Sequence, residues 1–331
     1  MKLSRLAIAA GALALALATP ALAENKVRII GGYALTLLPN YIVQERELIQ
    51  KHAARLGLSD VTVEFSRSPS VAVANEGLIT NNVDIALYGM GPMLNVWDKT
   101  NGAVKGVMAV SDYTQAVYTV DPKINSLDDL GENDRVAMTD IKTSNQALMM
   151  QMQAAEKYGW DGRFHFDPNL IAMFNEDSTA ALVSGASEIK SAMLTVPYND
   201  IVTRAGARKI WSSDDVLGGR VSAGMLYGNV KFVEANPVLY EAVVAAYEEA
   251  NEWINANPAE AAVIYVKYEP QKDGAPYIER LIREGNGFSF TTTPKGVKRF
   301  ADFMHKSGLL SKSVDTWTDV FFDNVATKPG S

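Results

Sequence analysis

Three histidines, His52, His165 and His305, are the first residues to test for chemistry, and none has a second histidine one turn away. A metal centre needs paired or clustered ligands, so no metal site is expected. The chain holds no cysteine, which removes thiolate catalysis and disulfides together. Gly-x-Ser-x-Gly, the phosphate loop ending in Gly-Lys-Ser/Thr and Gly-x-Gly-x-x-Gly are all absent, so neither a hydrolase elbow nor a nucleotide cradle is predicted, and no cofactor is expected. Asp128-Asp129, Asp214-Asp215 and Glu248-Glu249 pair carboxylates along the chain, but near helix starts or on an exposed helix face they read as dipole compensation and solvation. No catalytic residue is assigned, and the chain reads as a non-enzyme. What remains is a set of hydroxyls, tyrosines and glycines that fall in turns: Tyr33, Thr36, Ser68, Ser70, Met90, Gly91, Tyr113, Lys142, Thr143, Ser144, Asn175 and Tyr198. Groups of this kind bind. Ser68, Ser70, Gly91, Thr143 and Ser144 would hold a polar or anionic head through hydroxyls and helix N-terminal N–H groups, while Tyr33, Tyr113 and Tyr198 would pack the body of a ligand.

Turns converge on a ligand only if strands and helices alternate behind them. Val27 to Ile30 is a β-branched run ending in Gly31-Gly32, and Leu37 to Leu56 then places apolar residues at helical spacing. Val61 to Phe65 and Val83 to Leu87 repeat the strand pattern, each followed by a turn and a helix, and Val104 to Val110 reads as a fourth strand. Short crossovers of this kind predict α/β architecture with a mostly parallel sheet. After Tyr113 a second series begins, with strands at 116–120, 135–138, 170–174 and 189–194 and an edge strand at 208–211. Helices are read at 143–158, 178–184 and 197–205, and the region after Asn236 is almost wholly helical. Two α/β lobes with flanking helices are expected, joined by crossings near 113–117 and 221–228. The organisation read from this pattern is 1–23 as a leader, 24–113 with 225–331 as the first lobe, and 114–224 as the second. In such sheets a ligand sits beyond the carboxyl ends of the strands, where the twelve candidate residues fall.

The first 23 residues have the form of an export signal. Lys2 and Arg5 precede an Ala- and Leu-rich run from Leu6 to Ala18, and Ala21-Leu22-Ala23 supplies small residues for cleavage, so the mature chain is expected to begin at Glu24. The apolar run is short for a membrane span, so no direct membrane insertion is expected. With 31 Lys and Arg against 38 Asp and Glu, the chain carries a net charge of −7 and lacks the basic stripe that binding to nucleic acid requires.

Several motifs, in order, resemble a known family. Asn75-x-Gly77 leads to Asp84-Ile85-Ala86-x-x-Gly89-x-x-Pro92, and Ser126-Leu127-Asp128-Asp129-Leu130-Gly131 leads into Val136-Ala137. Ala180-Ala181-Leu182-x-x-Gly185 precedes Pro197-Tyr198, and Phe232-x-x-x-Asn236-Pro237 leads to Trp253-Ile254-Asn255-x-Asn257-Pro258-x-Glu260-Ala261-Ala262. The whole pattern resembles the periplasmic substrate-binding proteins of ABC importers for nitrate, taurine, aliphatic sulfonates and thiamine precursors. The resemblance implies a two-lobed periplasmic binding protein of type II. It would act as a monomer in the periplasm, capturing a small organic anion or sulfonate-like solute for an inner-membrane permease and its ATPase. The chain departs from the family at Ser187-Glu188-Ile189-Lys190, where an Ile-Asp-Ala strand start is common, and no Arg other than Arg67 stands at a cleft turn. Two alternatives use the same scaffold: a ligand-sensing protein for a membrane receptor, and an enzyme similar to thiamine-pyrimidine synthases, which depend on Cys and His. Export of the full-length chain in a Gram-negative host followed by N-terminal sequencing is expected to return Glu24 as the first residue; an intact Met1 would remove the leader reading.

Overall fold

The computed structural model describes residues 25–331 apart from Thr143 and Asn286, so the leader reading and the assignment of Thr143 lie outside the described residues. Among the described residues eleven strands form two sheets. Strands β1 (Lys26–Gly31), β2 (Thr62–Arg67), β3 (Ile85–Tyr88) and β4 (Val104–Tyr113) come first. They are followed by β5 (Ala116–Thr119), β6 (Val136–Met138), β7 (Leu170–Ala172), β8 (Ser191–Leu194) and β9 (Arg208–Ser212), and then by β10 (Val221–Asn229) and β11 (Phe288–Ser289). One sheet has the order β11-β4-β10-β3-β1-β2 and the other β7-β6-β8-β5-β9.

The parallel pairing expected from the short crossovers is present in β2-β1-β3 and in β7-β6-β8. Strands next to the crossings enter the other way: β10 runs antiparallel to both β3 and β4, and β5 antiparallel to both β8 and β9. Each sheet is therefore mixed. In the first sheet β4 and β10 lie at the centre and are buried almost throughout, which explains why they read as continuous apolar runs rather than alternating ones. Gly224 interrupts β10 at an irregularity in its register, and a Cβ there would come within 2.8 Å of both Val110 and Leu37 side-chain atoms. Glycine thus permits the close approach that lets β10 bend against β4.

Pro258–Tyr268 falls in the region expected to be helical, and Asn145–Tyr158 starts two residues later than expected because Ser144 is its N-cap, its Oγ accepting from the Ala147 N–H at 3.1 Å. The stretch read as one helix, Leu37 to Leu56, is instead two, Leu38–Glu45 and Leu48–Arg55, because Glu47 adopts a left-handed φ of 51° between them. Pattern alone could not show that break, since Glu is an ordinary helix former. The twenty-residue helix Pro237–Ala256 packs on both pieces, closing its Tyr247 hydroxyl on Asn40 Oδ1 at 2.6 Å.

The chain leaves the first sheet at Thr114-Gln115, as expected, and returns before Val221, which already pairs with Tyr113. The whole of β10 therefore belongs to the first sheet, and the return crossing lies a few residues earlier than 221–228. The two crossings are tied to each other. Gln115 N–H donates to Ser213 Oγ at 3.0 Å, Ser213 N–H donates to the Gln115 carbonyl at 2.8 Å, and the Thr114 hydroxyl donates to Asp214 Oδ1 at 2.9 Å. Beside them Asp112 is fully buried and receives Lys295 Nζ at 2.5 Å and the Ser289 hydroxyl at 2.6 Å, with Arg220 Nη1 at 3.6 Å. One carboxylate thus joins the end of β4, the return crossing and the segment after β11.

Removing the Asp112 charge with Asp112→Asn is expected to cost about 1.5–3 kcal/mol in urea unfolding, the usual worth of hydrogen bonds to a charged group. The exposed pair Lys157–Asp128 serves as the control, since Asp128→Asn should change stability by about 0–1 kcal/mol.

Candidate functional site

The turns that follow the strands of the two sheets face a cavity of about 1200 Å³. That is roomier than the roughly 300–1,000 Å³ of a closed small-molecule pocket, as an open cleft should be. From the first sheet it is lined by Gly32, Tyr33, Ala34 and Thr36 after β1, by Pro69 and Ser70 after β2, and by Tyr88 and Gly89 at the end of β3. The second sheet contributes Thr139, Asp140 and Ser144 after β6, Phe174 through Asp177 after β7, and Thr195 and Tyr198 after β8. Tyr113, at the end of β4, lines it beside the crossing.

Seven of the twelve expected residues meet here: Tyr33, Thr36, Ser70, Tyr113, Ser144, Asn175 and Tyr198. The structure places four others elsewhere, for identifiable reasons. Met90 is fully buried in the hydrophobic core. The Gly91 N–H, expected to meet a ligand, donates instead to Asn145 Oδ1 at 2.9 Å. Ser68 closes a local turn, its Oγ accepting from the Ser70 N–H at 3.0 Å, and its carbonyl accepts the Tyr88 hydroxyl at 2.9 Å. Lys142 is exposed and outside the lining, with its backbone N–H bound to Asp140 Oδ1 at 3.0 Å. The twelfth, Thr143, is outside the described residues.

Two side chains outside the twelve candidates account for much of this rearrangement. Asn145 is nearly buried and bridges the sheets: it accepts from Gly91 and donates from Nδ2 to the Tyr113 hydroxyl at 3.1 Å. Asp140 turns back on its own loop, taking the N–H groups of Lys142 and Ser144 at 3.0 Å each. Asn145 takes the Gly91 N–H in the first turn of the helix Met90–Lys99, and Asp140 takes the Ser144 N–H at the cap of Asn145–Tyr158, donors that a bound anion would otherwise use. An Asp two and four residues ahead of those N–H groups is the pattern of a side-chain-closed turn, so Asp140 was legible in principle. Asn145 was not, because its partner Gly91 is 54 residues away.

The second lip of the cleft is acidic and aromatic. Glu176 and Asp177 occupy the first turn of the helix Asn175–Ser184, and the Tyr198 hydroxyl donates to Glu176 Oε1. Burial, reinforced by the neighbouring Glu176 carboxylate, drives the Tyr198 hydroxyl well above its ordinary range, so it stays a donor at any physiological pH. Phe174 and Tyr33 are exposed at 58% and 45% on opposite lips, where a core residue would be covered.

Behind the first lip, Ala34 is held by Glu269. Its Oε1 accepts the Ala34 N–H at 3.1 Å and the Tyr41 hydroxyl, and its Oε2 accepts the Tyr265 hydroxyl at 3.0 Å. Arg67, the one arginine expected near the cleft, lies over the rings of Tyr33, Tyr41 and Tyr268 at 5.0, 5.6 and 5.7 Å. It is used as a cation on aromatic faces rather than as a free anion receptor. Burial raises the Glu269 carboxyl above its usual 4.5, against the lowering effect of its three hydrogen-bond donors and Arg67. A raised folded-state value favours the fold most below pH 4.5, and this contribution is lost as pH rises through the folded value.

A cleft between two mixed sheets, with both crossings on one side of it, defines the class: this is the periplasmic binding protein fold. No protein-family model matches the sequence, and no curated protein matches it. Solved structures do. The periplasmic aliphatic sulphonate binding protein SsuA from Escherichia coli is similar at 16% identity over 91% of this chain and 98% of that one, with a TM-score of 0.67. A sulfonate ABC transporter's putative periplasmic sulfonate-binding protein SsuA from Methylobacillus flagellatus is similar at 16% identity, over 90% of this chain and 91% of its own, with a TM-score of 0.60. The Candida albicans CA3427 gene product, described as having the generic periplasmic binding protein fold, is similar at 14% identity over 89% and 94% of the two chains, with a TM-score of 0.62. At these identities the likeness establishes the fold.

Among the described residues no group of three or more His, Cys, Asp or Glu is placed to hold a metal ion, and no helix is long and apolar enough to cross a membrane. Replacing Glu269 by Gln is expected to flatten the fall in melting temperature between pH 4.5 and neutrality, so that the variant gains on the parent as pH rises. Parallel melting curves at each pH would show this, and an unchanged pH profile would separate Glu269 from the stability of the lip.

Proposed function

We propose that this protein is the solute-binding component of an ABC importer. It works in the periplasm as a monomer after removal of residues 1–23, and hands a small solute to a membrane permease with its ATPase. One lobe is built on the first sheet, residues 24–113 with about 221–331, and the other on the second, about 114–220. The observation that carries this reading is the cavity of about 1200 Å³ lined by turns of both sheets, with the chain passing between the sheets at 114–115 and 213–220. A solute touching both lips binds the closed arrangement better than the open one, and that difference in affinity is what shifts the population. The similar proteins from Escherichia coli and Methylobacillus flagellatus are described as periplasmic binding proteins for sulfonates, the latter of an ABC transporter, which supports a transport role for this chain.

The cavity lining contains neither His nor Cys, and His52 is engaged elsewhere, 2.9 Å from Glu249. The enzyme alternative, whose chemistry rests on those residue types, has no support at the cleft. The sensing alternative would use the same cleft and differs only in the membrane partner.

Native mass spectrometry of the protein incubated with a periplasmic metabolite extract is expected to show one small solute per chain, released unchanged on denaturation. Tyr33→Ala and Tyr198→Ala should each weaken retention by about 0.5–1.5 kcal/mol, the usual worth of an aromatic contact beyond its burial. Chemical conversion of the solute, or no retention by a correctly folded sample, would overturn the reading.

A further inference from the structure

The charge lining the cavity has the opposite sign to the solute that the family resemblance implies. Glu76, Asp140, Glu176 and Asp177 contribute four carboxylates, against the single ammonium of Lys99. Some of the donors that would answer an anion are already taken from within, the Gly91 N–H by Asn145 Oδ1 and the Lys142 and Ser144 N–H groups by Asp140 Oδ1. A sulfonate here would face those carboxylates at close range, where like charges cost the most.

Three further features suit a cation. Phe174 and Tyr33 are exposed on opposite lips of the cavity, Tyr33 with Arg67 already 5.0 Å from its ring, and an aromatic face attracts an ammonium or guanidinium through its quadrupole. Asp177 and Glu76 have no ion-pair or hydrogen-bond partner for their carboxylates among the described residues, so their charge is available to a ligand. Thr36, only 5% exposed, lines the cavity with a hydroxyl that has no partner among the described residues, which offers a buried polar contact that a solute can complete.

We propose, building on the solute-binding reading, that the cleft takes an organic cation: an amine or ammonium group placed among Asp177, Glu176 and Glu76, with its apolar body between Phe174 and Tyr33. The carboxylates supply charge pairing, the rings supply cation–π and packing contact, and Thr36 orients a polar substituent. Lys99, exposed at the end of the helix Met90–Lys99, is the one cation among the charged lining residues.

The test is isothermal titration of the full mature chain with two matched sets. Phenethylamine, choline and putrescine form the cationic set; benzenesulfonate, phenylacetate and nitrate form the anionic one. Binding confined to the cationic set is expected, with Asp177→Asn and Glu176→Gln each weakening the best cation about tenfold, near the energy of one charged contact. Both substitutions are on an exposed helix turn, and circular dichroism melts would confirm that the variants fold. Binding confined to the anionic set would overturn the cation assignment while leaving the solute-binding reading intact. Retention of no solute of either charge, in this titration and in the extract experiment, would instead bring down the solute-binding reading itself. A cation bound equally well by the parent and both variants would move the site away from the acidic lip and contradict the proposal.

Discussion

Asp112 is the constraint on which the geometry of the cleft depends. A carboxylate with no exposed surface is tolerated only if it is paired and hydrogen-bonded, and Asp112 draws Lys295, Ser289 and Arg220 to one point. Those three residues belong to segments separated by up to 183 positions from it, so the requirement of one buried charge organises the junction of the first sheet. The adjacent exchange between Gln115 and Ser213 then holds the two crossings side by side. Because the crossings at 114–115 and 213–220 are bonded to each other, the turns after β1, β3, β6, β7 and β8 are delivered to opposite sides of a single cavity rather than to unrelated surfaces.

Within the cavity, what matters is which polar groups are already taken. Helix N-termini are ready anion receptors in principle, and here Asn145 and Asp140 occupy donors at two of them. Asn145 also reaches Tyr113, so the crossing and the starts of two helices share one amide. The charged side chains of the lining are mostly acidic, and Phe174 and Tyr33 are exposed beside them. Specificity in such a site comes as much from the repulsion of wrong charges as from attraction of the right one.

Much of this was legible before any coordinates, because β-branched runs followed by glycine turns and helical periodicity point to α/β units whatever their partners. The strand ends named from that pattern brought Tyr33, Thr36, Ser70, Tyr113, Ser144, Asn175 and Tyr198 to one cavity. What was not legible depended on contacts between distant segments. Gly91 reads as a free helix start until Asn145 is placed against it, and Met90, two residues after Tyr88, reads as a turn residue until the helix that begins with it turns it into the core. The direction of β10 is another such case: its residues are extended and apolar in either sheet, and only its pairing with β3 and β4 assigns it to the first. Phe174, like Asp140, was a local signal in the sequence, an aromatic residue at a strand end followed by five polar residues.

The central claim is a clamp whose two halves move about the crossings beside Asp112, and the absence of cysteine makes it directly measurable. Single cysteines introduced at the exposed positions Val73 and Val183, on helices flanking opposite sides of the cleft, would carry spin labels with no background. Pulsed electron–electron double resonance with and without a saturating retained solute should show the distance distribution shorten and narrow. A distribution identical in both conditions would contradict the account, since a solute that favours neither arrangement cannot drive closure.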